Sequence, residues 1–247
     1  AHEHECGLTD DDVSYLDAEE ARHRTGMSRV HGASYLRTAA ALQPALLVHG
    51  LAAAAERLGI RVLEGADVIE MTPGVVTARA GDRTVTVRAE HVLRATEGYT
   101  RDLPGEGRTL IPLYSLMIAT EPLSPTVLDE VGLREREVFA DYGHMVIYGQ
   151  RTADGRIAFG GRGAPYHYAS GIRPEYDADD VVHGHLARLL LELYPVLQDA
   201  AITHRWGGPL GVPRDWRPSV TYDPRTRTGF AGGYVGDGVA LSNLAGR

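Results

Sequence analysis

The chain has 247 residues, 43% of them hydrophobic, and its 25 basic and 33 acidic side chains give a formal net charge of −8. That balance is enough to bury a real core, it argues against nucleic acid as a partner, and no apolar run approaches the length of a membrane span. Every basic residue is an arginine, which excludes Schiff-base chemistry, pyridoxal phosphate attachment and a P-loop, since each needs a lysine amine.

The first residues, Ala1-His2-Glu3-His4-Glu5, are polar and carry no signal peptide, which predicts a cytoplasmic protein without a membrane partner. His2, His4 and Cys6 alternate at a ligand-like spacing, but at a polar terminus this reads as incidental, and no metal is assigned. Cys6 is the lone cysteine, so no internal disulfide forms. Thr9-Asp10-Asp11-Asp12 is read as the start of a solvated helix reaching about Arg24, inside an N-terminal helical segment 1–29. Acids at its start and Arg22 and Arg24 at its end suit the helix dipole.

Residues 30–42 show no clear period. Pro44 is placed to open a helix through Leu58, closed by Gly59, with Leu47, Leu51, Ala54, Ala55 and Leu58 as its buried stripe. Ile60 to Leu63 and Ala66 to Met71 read as short strands. Val75 to Ala80 and Arg83 to Arg88 flank Gly81-Asp82 as a hairpin, and His91 to Ala95 is one more strand running into Thr96-Glu97-Gly98-Tyr99. Leu103-Pro104-Gly105-Glu106-Gly107 is a linker.

Beyond the linker the pattern changes to separated β segments: Thr109 to Thr120, Glu137 to Asp141, Met145 to Gln150 and Arg156 to Gly160, the last two joined by a turn at Asp154-Gly155. A helix from about Asp177 to Leu193 follows, stopped by Pro195, and then a strand from Ala200 to Trp206. Hairpins with one long amphipathic helix imply an antiparallel sheet carrying helices on one face.

The final stretch is the most specific. Gly232, Gly233, Gly236 and Gly238 put four glycines in seven residues, just ahead of a helix with Val239, Leu241 and Leu244 apolar. Glycine lets a flat or anionic group approach the main chain, and a helix start offers free N–H groups and the positive end of a dipole. On its own, this loop reads equally well as a tight strand-to-helix turn. The whole string GGYVGDGVALSNLAGR, however, resembles the C-terminal flavin-contacting motif of D-amino-acid-oxidase-like FAD-dependent oxidoreductases, of the gamma-glutamylputrescine oxidase and glycine/sarcosine oxidase type. Trp206-Gly207-Gly208-Pro209 followed by Asp215-Trp216-Arg217-Pro218 resembles the family's pattern ahead of its last strand. The likeness covers nearly all of 30–247 and is most specific over 206–247.

The resemblance implies an α/β fold of α+β character. A partial FAD-binding domain with a mixed sheet and helices would comprise 30–101 and 215–247, and an antiparallel-sheet substrate-binding domain 102–214. It implies FAD as cofactor, with Gly233, Tyr234, Gly236, Asp237, Gly238 and Val239 along the flavin edge. It also implies main-chain contact from Val68 toward the adenine and close approach of Ala95, Thr96 and Gly98 to the dinucleotide. The substrate implied is a small amine or amino acid, oxidised by hydride transfer.

Tyr114, Tyr148, Arg162 and Trp206 lie in segments that resemble strands facing the ring, and Tyr148, Arg162 and Trp206 are the assigned substrate contacts. Arg162 reads either as the partner of a substrate carboxylate or as a surface turn arginine. Tyr166-His167-Tyr168 reads either as pocket wall or as loop packing. No catalytic residue is assigned, since a flavin needs few side chains for this chemistry.

One departure from the family stands out. No G-x-G-x-x-G occurs in these residues, and the family seats its pyrophosphate there. The expectation is therefore a fragment whose partner is a missing N-terminal segment, with FAD absent from the isolated chain and no activity in it. The alternative is a cofactor-free binding or scaffold domain of flavoenzyme shape.

Overall fold

A computed structural model describes residues 7–143, 146–163 and 166–247. The His2, His4 and Cys6 reading lies outside them, as does the expected start of a strand at Met145. The fold is mixed α/β. The chain divides into two compact units, one formed by 1–49, 116–163 and 178–206, the other by 50–115, 164–177 and 207–247.

In the first unit, β1 (Val13–Leu16) pairs antiparallel with β2 (Ala33–Leu36), Val13 opposite Leu36. Between them stands α1 (Ala18–Thr25), far shorter than the helix expected from Thr9. The cause is local. Asp17 accepts the N–H groups of Glu19 and Glu20 at 2.9 Å, and the Glu20 carboxylate accepts the Asp17 N–H at 3.2 Å, a capping box that fixes the start at Ala18. The residues before it, V-S-Y-L, follow the two-residue alternation of a strand, and Val13 is buried.

The helix α2 (Pro44–Arg57) starts at proline as expected, but none of its residues is buried. The predicted stripe is open: Leu51 is 61% and Leu58 82% exposed. Amphipathic spacing marks a face able to be covered, and among the described residues nothing covers this one. Nor do Ile60 to Leu63 form a strand; they run on as exposed chain without a ladder partner.

The second unit opens with a three-stranded antiparallel sheet, β3 (Ala66–Thr72), β4 (Val75–Ala80) and β5 (Arg83–Arg88). Ala80 faces Arg83 across the Gly81-Asp82 turn, as the dipeptide predicts. β6 (Val92–Arg94) leads into a 3-10 turn over Glu97–Asp102. The strand β7 (Ile111–Thr120) then crosses from one unit to the other.

Back in the first unit, Ser124 caps α3 (Pro125–Val131), a helix that no sequence reading anticipated. The strands β8 (Val138–Ala140), β9 (Ile147–Arg151) and β10 (Ile157–Arg162) form an antiparallel meander. They belong to a five-stranded sheet of order β11-β7-β10-β9-β8, where β11 is Ile202–Val212. The long helix α4 (Asp180–Leu193) is capped by Asp179, which accepts from Val181 and Val182.

Leu186 and Leu190 of α4 go into a core with Leu116, Ile118, Ile157, Phe159 and Leu197. Tyr194 is fully buried there, its ring 6.3 Å from that of Phe139. Among the described residues its hydroxyl has no hydrogen-bond partner, and burial, with the Glu137 carboxylate adding to it, pushes the phenol well above its usual range. A buried donor without an acceptor costs about 1–3 kcal/mol, so Tyr194→Phe should leave stability unchanged or raise it by about 1 kcal/mol. Urea denaturation measures this; a loss beyond about 1 kcal/mol would reveal a partner for the hydroxyl.

Unit two closes with β12 (Ser219–Asp223), β13 (Thr228–Gly232) and α5 (Gly238–Ala245). β13 is the centre strand of a mixed sheet, antiparallel to β12 and parallel to β6. Leu244 and Val239 of α5 are exposed, like the stripe of α2. Among the described residues no helix is long and apolar enough to cross a membrane.

Candidate functional site

The parallel pair β6 and β13 organises the site. Val92, Leu93 and Arg94 lie opposite Thr228, Gly229 and Phe230, and the Arg94 guanidinium sits 4.9 Å over the Phe230 ring. Because the strands point the same way, their carboxyl ends deliver 95–98 and 231–234 to one edge of the sheet. That edge is where open α/β sheets receive ligands. Ala95, Thr96 and Gly98 are thus brought beside Gly233 and Tyr234.

Glu97 makes the junction. Its carboxylate accepts the Tyr234 backbone N–H at 2.9 Å. Thr96 and Thr100 share a hydroxyl hydrogen bond of 2.8 Å behind it, with Thr100 fully buried. Gly98 is buried against Pro209, whose Cβ and carbonyl oxygen would lie 3.4 Å from any added side chain. Burial raises the Tyr234 phenol above its usual range, and the Glu97 carboxylate adds to the shift.

From Gly233 to Asp237 the chain makes a tight turn. Gly233, Val235 and Gly236 all hold positive φ, at 75°, 55° and 106°. Asp237 donates its N–H to the Tyr234 carbonyl at 3.0 Å and accepts from Leu241 N–H at 3.1 Å, closing the first turn of α5. Its side chain caps nothing. The N–H groups of Gly238, Val239 and Ala240 therefore have no acceptor among the described residues, at the positive end of the helix dipole.

Gly238 tests what this loop is shaped for. Among the described residues a Cβ there would touch only Tyr234, at 3.6 and 3.8 Å, which is ordinary contact. Packing within the protein thus leaves room for a side chain that the sequence omits. Bare backbone with free N–H donors fits the electron-rich edge of an isoalloxazine ring, where charge collects on reduction.

The other predicted residues are placed as follows. Val68 stands on β3, next to a register shift between Val68 and Glu70, in a sheet other than that of β6 and β13. Near it Glu70, Met71, Thr72, Arg94, Leu103 and Glu106 line a cleft of about 200 Å³. Burial opposes the ionised Glu106, yet the Thr109 hydroxyl and Arg94 hold its carboxyl below the usual range.

Tyr148, Arg162 and Trp206 fall in the first unit. Tyr148 is half-buried on β9 opposite Gly160, where a Cβ would stand 2.7 Å from its ring. Arg162 ends β10, and its side chain lies outside the described residues. Trp206 on β11 is 41% exposed, and its carbonyl lies 3.4 Å from His183 Nε2. In the second unit Tyr114 meets His167 and Tyr176 edge-on, with ring centroids at 5.1 and 5.8 Å. His167 stacks on Tyr176, so the Tyr166-His167-Tyr168 stretch splits: His167 packs inward while Tyr168 is almost fully exposed.

Comparison with known proteins decides the family. A model of the DAO family, described as FAD dependent oxidoreductase, matches residues 2–247. The chain belongs to this family of FAD-dependent oxidoreductases. It is 32% identical over 249 residues to the probable oxidoreductase OrdL of Rhizobium meliloti, covering 95% of this chain and 52% of that protein. Glycine oxidase from Bacillus cereus has the same fold at a TM-score of 0.77 and 16% identity, over 99% of this chain and 64% of that one. L-proline dehydrogenase from P. horikoshii follows at 0.76 and 18%, over 95% and 62%. This chain spans about half the length of the curated relatives it matches.

Glu97 was missed by reading the sequence. In the Ala95-Thr96-Glu97-Gly98 stretch the resemblance points to Ala95, Thr96 and Gly98, and the acid among them is the overlooked signal. What it reaches, Tyr234, is 137 residues away.

Proposed function

We propose that this chain forms part of an FAD-dependent enzyme that oxidises a small amine or amino acid, and that its own loop from β13 into α5 holds the flavin edge. The observation that carries this is the row of N–H groups at Gly238 to Ala240 that have no acceptor among the described residues, beside a glycine whose side-chain space is open. Bound FAD supplies the hydride acceptor. This chain supplies orientation, a charge-stabilising edge and exclusion of water.

Residues 50–101 and 215–247, which the second unit holds together, take the cofactor side, with Ala95, Thr96, Gly98 and Gly233 to Val239 nearest the flavin and Val68 toward the adenine. Residues 116–163 and 178–206, within the first unit, take the substrate side. Tyr148 and Trp206 wall the substrate, and Arg162 pairs with a carboxylate where the substrate has one. The 247 residues contain no G-x-G-x-x-G, so the pyrophosphate is seated by a strand–turn–helix unit supplied in cis or by another chain.

Two preparations test this reading. The longer protein containing these residues should purify yellow and bleach anaerobically when small amines or amino acids are added. Residues 1–247 alone should lose added FAD on dialysis. A longer protein that neither carries nor takes up flavin would overturn the proposal.

A further inference from the structure

We infer that Glu97 is a positioning residue, the anchor that holds the β13–α5 loop in the shape that presents its free N–H groups. The inference rests on the flavin-edge reading for its purpose but on geometry for its content.

Three observations converge on this carboxylate. Its Oε1 accepts the Tyr234 N–H at 2.9 Å, one residue after the first positive-φ position of the loop. Glu97 itself holds a left-handed backbone, φ 43°, at a non-glycine position. Such a conformation costs on the order of 1–3 kcal/mol and persists where its surroundings over-determine it. Gly211, on β11, is the third. A Cβ there would fall on Glu97 Oε2 and lie 3.0 Å from the Gly98 nitrogen, so the missing side chain is the space the carboxylate occupies. A Cβ on Gly232 would stand 3.5 Å from Oε1 as well. The acid is half-buried, and among the described residues no cation pairs with it.

The chemistry follows from that placement. A carboxylate accepting a backbone N–H makes a charge-assisted bond, stronger than a neutral one. It ties the end of β6 to the end of β13 across 137 residues of chain. Without it, the only described tether of Tyr234 into the turn is its own carbonyl to Asp237.

Hydrogen–deuterium exchange on the flavin-loaded protein tests the anchor, read on peptides covering 232–240. Glu97→Gly is the informative variant. Glycine relieves the left-handed backbone, so the fold is kept, while the carboxylate is lost. Exchange in the loop should rise at least tenfold in E97G and stay within threefold of wild type in E97Q, whose amide oxygen still accepts. Gly211→Ala should mimic E97G in the wild-type background by displacing the carboxylate, and add little on top of E97G. Unchanged exchange in E97G, or equal loss in E97Q and E97G, would overturn the anchor. Flavin affinity, measured alongside, keeps the two readings separate. Exchange that rises while affinity stays fixed supports the anchor and sinks the flavin-edge reading of the loop.

Discussion

Gly238→Val should leave the fold as stable as before and weaken flavin binding at least tenfold in the complete enzyme. The first half follows from the protein's own geometry. Among the described residues a Cβ at this position meets only the Tyr234 side chain at ordinary contact distance, and its φ is not in the left-handed region. Position N1 of a helix tolerates most residues, so the melting temperature should hold within about 2 °C, at most about 1 kcal/mol for a chain of this size. The second half follows from what lies outside. A β-branched side chain standing beside the Val239 and Ala240 N–H groups holds a flat ring off the backbone. One charge-assisted hydrogen bond to the reduced ring, about 1.5–3 kcal/mol, corresponds to about 30–65 mV for a two-electron couple. The flavin that remains bound should therefore show a potential lower by that amount. Redox titration and a thermal melt on the same preparation check both halves. An unchanged potential with flavin still bound would remove the loop from the flavin edge; a lost fold would mean that Gly238 serves packing.

Much of this arrangement was legible in the chain. Pro44 set the start of α2, Gly81-Asp82 set a hairpin, and the glycine string before Val239 set the strand–loop–helix that closes the second unit. These are local signals, carried by residues whose backbone chemistry allows few alternatives. What failed depended on distant partners. Ile60 to Leu63 are apolar enough for a strand, but no ladder receives them. The stripe of α2 has the right spacing and nothing over it. Between Thr9 and Arg24 a run of acids suggested one helix, where the capping box of Asp17 and Glu20 and the β1–β2 pairing cut it in half. Glu97 belongs to the same class. Its neighbours Ala95, Thr96 and Gly98 carry the family resemblance, whereas its own role is written 137 residues away.

The largest loss of stability should come from Gly26→Ala, at a junction no motif announced. Gly26 closes α1 with φ 64°, its N–H donating to the Arg22 carbonyl at 2.8 Å. Glycine is the usual residue for this helix ending because a Cβ in the left-handed region crowds the backbone. Here a second constraint is added from α3. A Cβ on Gly26 would stand 2.5 Å from the Glu130 carbonyl oxygen and closer still to that of Val131. The contact is reciprocal. Gly132, just past α3, also has positive φ, and a Cβ there would lie 2.7 Å from the Arg24 carbonyl oxygen, which itself accepts the Leu133 N–H at 2.7 Å. Two helix ends thus interlock backbone to backbone, with Val131 and Leu133 fully buried beneath them. Backbone atoms cannot swing aside as a side-chain tip does. The left-handed penalty of about 1–2 kcal/mol adds to an overpacking cost of about 1–3 kcal/mol, so G26A should lose about 2–5 kcal/mol. At about 2–4 °C per kcal/mol for a protein of this length, the melting temperature should fall by about 4–20 °C. Gly59→Ala is the control: it shares a positive φ, 83°, but its Cβ meets nothing within 4 Å, so it should show the backbone penalty alone. Equal losses at the two positions would mean that the α1–α3 interlock contributes nothing beyond the conformational preference of glycine.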